Sequence, residues 1–418
     1  MPRTTSLTSR TTLSSAALVL AAGCVIAFAP ACSSAKKSSF EDPTLEGQNP
    51  GGGTLGGADA GSGKACAPGP GNYDIPGNNC DDDGDGTVDN PPTCDDGLSS
   101  GGTAEQFARA MGICGKESKD GYGLVSAEFH RGYGILEGPK AEQHGVLPKF
   151  GKVIKPREGK MLGVLSTGYG AEYNGASNAP FGGTRGNEDD GSFELNGKDW
   201  WGFSPLFTPQ GTGKLPTGFP KAASGCMQTN VVNDVVTVKL TLKAPKNASG
   251  VKFDFNFYSG EWPAFICSPF NDGFIAYLEA EGFNGGKADN MSFDSKKNPV
   301  SVNNGFFDRC TPNVKVGCSS SAVDGTSQCP KGTDELEGTG YGITGKWCSG
   351  MVNAGQDTST NGGATGWLTS QAPIKPGETF TLELMIYDGG DGVLDSSVLL
   401  DNFGWAEGEV TVVTDRPR

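Results

Sequence analysis

Apolar and polar residues alternate with a period of two along much of the C-terminal three quarters of the chain. Val238, Leu240 and Leu242 alternate with Thr and Lys; Val251, Phe253, Phe255 and Phe257 with Lys, Asp and Asn; Phe380, Leu382, Leu384 and Ile386 do the same. This period predicts strands with one buried face. The predicted strands are 124–129, 160–167, 234–243, 250–258, 273–280, 378–387 and 396–405, with KAPKNASG (243–250) as a polar hairpin loop. Helical spacing occurs at Thr103–Cys114, where Thr103 and Gln106 have the spacing of a capping box and Gly112 fits the exit. The expected fold is mostly β: an antiparallel sandwich or jelly roll with one short N-terminal helix and a disulfide-stapled insert at 304–350.

Composition sharpens this picture. The 418 residues include 66 glycines and 26 prolines and only 19% charged residues, as in a loop-rich β protein. A formal charge of −15 argues against nucleic acid as a partner and suits a surface that gathers divalent cations.

The N-terminus predicts export. Arg3 and Arg10 precede the apolar run LSSAALVLAAGCVIAFAPAC, the pattern of a signal peptide over residues 1–31. Cys24 and Cys32 both follow small residues. Cys32 ends the apolar run, leads into the polar tether of residues 32–65, and leaves ten cysteines, an even number. Cys32 is therefore the expected lipid anchor, holding the chain to a membrane of the cell envelope. A secreted chain cut near Ala31 is the alternative. In an exported chain, Cys66, Cys80, Cys94, Cys114, Cys226, Cys267, Cys310, Cys318, Cys329 and Cys348 are expected in disulfides.

Carboxylates supply the candidate chemistry. In the segment 66–98, Asp81, Asp83, Asp85, Gly86 and Asp89 follow D-x-D-x-D-G-x-x-D, a spacing that folds alternate carboxylates around a hard cation such as Ca²⁺. Pro92 stands where an EF-hand has its bidentate Glu, so this is another kind of loop, with Asp95 or Asp96 as a further ligand. An acidic turn clipped by a disulfide such as Cys80–Cys94 is the plain reading. A helical lead-in (99–124) and the sandwich (125–410) follow. At predicted strand ends stand Glu261, Asn271 and Asp272, with Asp388, Asp391 and Asp395 after another. If these ends meet, they form a second oxygen-rich Ca²⁺ cluster; as turn residues they need no metal.

Three segments together resemble one family. LGVLSTGYG (162–170), FDFNFYSGEWPAFICSPFNDGFIAYLE (253–279) and MIYDGGDGVLDSSVLLDNF (385–403) resemble, in order, the opening, central and closing motifs of the choice-of-anchor L domain. The resemblance covers residues 125–410. Asp81–Asp89 resembles the metal-binding repeats of bacterial surface lipoproteins, although Cys80 precedes the acid run instead of interrupting it. The resemblance implies an exported, variously anchored surface protein with a β-sandwich and an adhesive or ligand-binding role. One departure is local: where relatives carry tandem acids, this chain has Gly260-Glu261, followed by Trp262.

The expected function is thus a lipid-anchored, Ca²⁺-stabilised binding or adhesion module for a glycan or protein ligand, and not an enzyme. The alternatives are a carbohydrate-active hydrolase, with Trp200, Trp201 and Trp262 stacking sugar rings, and a passive envelope protein sequestering divalent cations. The only two histidines, His130 and His144, leave little room for a His-rich metal centre or a Ser-His-Asp triad, and His130 is read as a surface residue.

Overall fold

The computed structural model describes residues 66–69, 71–90, 94–168, 170, 213–317, 323–339, 341–345, 359–390, 392 and 394–417, with the backbone of four two-residue strands between Tyr173 and Asp199. Cys32, the tether, Trp200, Trp201, Cys318, Cys348 and Asp391 lie outside the described residues.

Twelve of the described strands build a sandwich: β1 Gly123–His130, β2 His144–Leu147, β3 Leu162–Ser166, β4 Val232–Lys243, β5 Gly250–Ser259, β6 Gly273–Glu279, β7 Asp289–Asn290, β8 Val300–Ser301, β9 Gly363–Pro373, β10 Thr379–Gly389, β11 Ser396–Ala406 and β12 Val413–Asp415. One sheet runs β1-β4-β10-β6-β7, with β8 also on β6; the other runs β12-β9-β5-β11-β3-β2. Within each sheet neighbouring strands pair antiparallel throughout. The alternating apolar residues do what their period requires. Val238, Leu240, Leu382, Leu384 and Phe274 from the first sheet meet Phe253, Phe255, Phe257, Val398 and Leu400 from the second in one core. Each such side chain contributes about 1.5–3 kcal/mol by leaving water.

The helix α1, Ala104–Ala110, begins with the expected reciprocal Thr103–Gln106 capping box, and Gly112 follows its cap residue at φ +91°. Phe107 and Met111 join the core. Gly163 of β3 permits this: a Cβ there would stand 2.5 Å from the Phe107 ring.

Two expectations are corrected. The strands were expected to bury one face, but both sheets are also covered on the outside. Phe150, Ile154, Leu336 and Tyr341 pack on Tyr258, Val164 and Leu399 of the second sheet; Leu215, Tyr133 and Phe219 pack around Val235, Ile275, Met385 and Tyr387 of the first. Hence Asp254 and Asn256, the polar partners in β5, are buried. Asp254 is paired with Arg157 at 3.0 Å and accepts from the Asn402 amide and the Thr369 hydroxyl. Secondly, Cys80 does not pair with Cys94. Among the described residues the bridges are Cys66–Cys80, Cys94–Cys114, Cys226–Cys267 and Cys310–Cys329. The Asp-rich turn is thus clipped from its N-terminal side, while Cys94 fastens the end of the segment to Cys114, two residues past the Gly112 exit of α1. Four disulfides mark an oxidising, extracytoplasmic compartment.

Candidate cation sites and a ligand cleft

In the Asp-rich segment, aspartates first shape their own backbone. Asp81 accepts from the Gly84 and Gly86 amides, Asp83 from Asp85, and Asp85 from Thr87 and the Asn90 side chain. Asp89 turns away, both oxygens accepting from the amides of 77–79. Asp95 accepts from the Lys160 and Met161 amides, and Asp96 pairs with Lys160 at 2.5 Å. The third carboxylate beside Asp81 and Asp83 is Asp74, whose oxygens lie within 4.8 Å of theirs. This group of three can hold a metal ion. Asp74 is buried and held by the Asp82, Asp83 and Asn90 amides. Asp83 is raised above the usual carboxylate range, chiefly by lost hydration and then by Asp74, Asp85 and Asp81. Asp74 precedes the acid run by seven residues, so no spacing motif could include it.

At one end of the sandwich the strands bring the other predicted acids together. Glu261 stands near the start of the turn after β5, Asn271 and Asp272 precede β6, Asp388 is near the end of β10, and Asp395 precedes β11; all are at most 3% exposed. They were expected at a rim, but the packed outer segments bury them. Asp272 accepts from the Gly389 amide at 3.1 Å and from the Ser396 hydroxyl at 2.6 Å, tying β6 to β10 and β11. Glu261 accepts from the Asp272 amide at 3.3 Å, and Gly260 donates to the Asp395 carbonyl at 2.9 Å. Asp388 stands opposite Asn233 in the β4–β10 ladder. Neither of its carboxylate oxygens accepts a well-directed hydrogen bond; the Thr167 hydroxyl, which also faces the Ser396 carbonyl at 3.4 Å, is near enough to interact with it weakly. Burial, then the charges of Asp272, Asp234 and Glu261, hold Asp388 well above the usual carboxylate range, with Thr167 opposing. Asp234, also buried, was missed. Its signal was present: Asn233-Asp234 repeats Asn271-Asp272 just before an apolar run.

The loop between Glu261 and Asn271 walls a cleft of about 320 Å³. Trp262, Ile266, Val302, Phe307 and Val316 form its apolar side, while Asn304, Asp324, Thr326 and Gln328 bring amide, carboxylate and hydroxyl groups. Phe307 meets Trp262 edge-on at 5.3 Å. The Cys226–Cys267 and Cys310–Cys329 bridges fasten both walls. The volume falls within the ordinary range of small-molecule sites. Both histidines are structural. His130 is buried, not on the surface, and lies 3.1 Å from Glu128; His144 stacks on Phe129 at 3.9 Å, and burial pulls it down to about 4.

The model of one family, described as Choice-of-anchor L domain, matches residues 221–404. This is narrower than the expected 125–410, since LGVLSTGYG falls outside it although β3 lies within the second sheet, between β11 and β2. No curated protein and no solved structure matches the chain.

Proposed function

We propose that this chain is a lipid-anchored surface protein whose sandwich binds a glycan in the Trp262–Phe307 cleft, with Ca²⁺ bound at Asp74, Asp81 and Asp83. The cleft carries this reading. An aromatic wall beside amide and hydroxyl groups suits a sugar ring, which has apolar faces and a polar edge. Cys32 is the anchor, placing the module on the envelope surface, and the domain matched at 221–404 is typical of secreted and surface proteins. Calcium follows from the all-carboxylate donor set, which hard cations prefer. Binding is favoured over glycoside hydrolysis, which needs two carboxylates flanking the bond. Asp324 is the one carboxylate among the described lining residues, and it pairs with Lys315 at 2.5 Å.

A glycan array tests this with the full chain and the Thr326→Ala/Gln328→Ala variant, both exposed rim positions. The expected result is a set of hits for the wild type that the variant loses, with near-UV circular dichroism unchanged. Hits kept by the variant would place recognition elsewhere, a blank array would point to a protein ligand, and release of cleaved sugar would make the chain a hydrolase.

A further inference from the structure

We infer that Asp388, Asn271 and Glu261, with Asp234 beside them, form a second calcium site, buried at the end of the sandwich and separate from the Asp-rich segment. Asp388 is the first reason. It is 1% exposed, both its oxygens lack a well-directed donor, the Thr167 hydroxyl lies near it, and among the described residues no lysine, arginine or histidine is paired with it. A carboxylate so placed is costly unless a proton or a cation compensates it. The acids around it make a shared negative field that a divalent ion answers best.

The second reason is independent of charge. The Asn271 side-chain oxygen is buried without a donor, in a residue 3% exposed. Its backbone touches β10 beside Asp388: a Cβ on Gly389 would stand 2.6 Å from the Asn271 carbonyl oxygen. A bare neutral acceptor in a residue adjoining these acids is a group that a bound cation would satisfy, and a carboxylate pair sharing a proton would not. Unlike Asp74, Asp81 and Asp83, these acids do not form a three-carboxylate group within 4.8 Å. Ca²⁺ accepts mixed sets of carboxylate and amide oxygens with flexible geometry. Asp272 then serves as a positioning residue, its oxygens held by Gly389 and Ser396.

The consequence reaches the cleft. Glu261 and Asn271 bracket the loop that carries Trp262 and Ile266, so an ion bound to both would close that loop across its base. The inference goes beyond the glycan reading and stands or falls without it.

The test uses the full chain and Ca²⁺ alone, by calorimetric titration and thermal melting. Wild type should bind two ions per chain. Asp74→Asn/Asp83→Asn should keep one, and Asp388→Asn, nearly isosteric, should keep the other. Asn271→Ala, which leaves every charge in place, should weaken the buried site at least tenfold and abolish its share of the calcium-induced rise in Tm. The inference is overturned if Asn271→Ala titrates as wild type, or if Asp74→Asn/Asp83→Asn abolishes all calcium binding while its near-UV spectrum is unchanged.

Discussion

Asp401 shows how a single buried acid links stability to pH. It is wholly buried in β11 and accepts from the backbone amides of Arg157 at 2.5 Å, Glu158 at 3.4 Å and Asn402 at 2.6 Å. Burial still outweighs these three donors and pushes it up to about 8. An unfolded aspartate titrates near about 3.9. The folded state therefore holds the proton more tightly, so Asp401 contributes most stability below about 4 and loses it as pH rises to about 8. In Asp401→Asn the fall in unfolding free energy between pH 5 and 8 should be shallower by about 1–3 kcal/mol, measured by urea melts at each pH. An unchanged slope would mean that the amides keep Asp401 ionised. Residues of this kind mark where the sequence stops being readable. The spacing of Asp81 and Asp83, and the turn chemistry around Glu261, Asn271 and Asp272, were visible. Asp254 and Asp401 take their roles from contacts with distant segments, which spacing does not encode.

Among elements, the strands with clean alternation were legible to within two residues or so, because one face had to meet the opposite sheet. β9 was not. Its sequence, GATGWLTSQAP, lacks period-two hydrophobicity, since tertiary packing covers both its faces, yet it lies between β5 and β12. Its register shifts between Ala364 and Trp367, and Gly366 there sits at φ +68° with the Arg309 guanidinium where a Cβ would be. Arg309 cannot move aside cheaply, being paired with Asp308 at 2.5 Å and Glu335 at 3.0 Å. Gly366→Ala should therefore lower stability by about 1–3 kcal/mol in a urea melt. A neutral effect would show that this bulge is not fixed by glycine. The helix, by contrast, was marked at both ends by its own residues, Thr103 and Gly112, and needed no partner to be recognised.

Over the whole molecule, the sandwich was legible because most of its long strands share one pattern, and the disulfides because export makes cysteines pair. The covering layers were not, because the segments that supply Phe150, Leu215 and Leu336 carry no periodicity of their own. Those layers decide the character of the sites. They turn an expected open rim into a buried acidic end, and the stapled insert adds the cleft beside it. Recognition of a ligand in that cleft is tested most directly by hydrogen exchange of the full chain with and without its best glycan from the array. Protection should concentrate at 262–266, 302–307 and 323–330, the walls formed by Trp262, Phe307 and Thr326. Protection confined to another surface, with these three segments exchanging as in the unbound chain, would contradict the account.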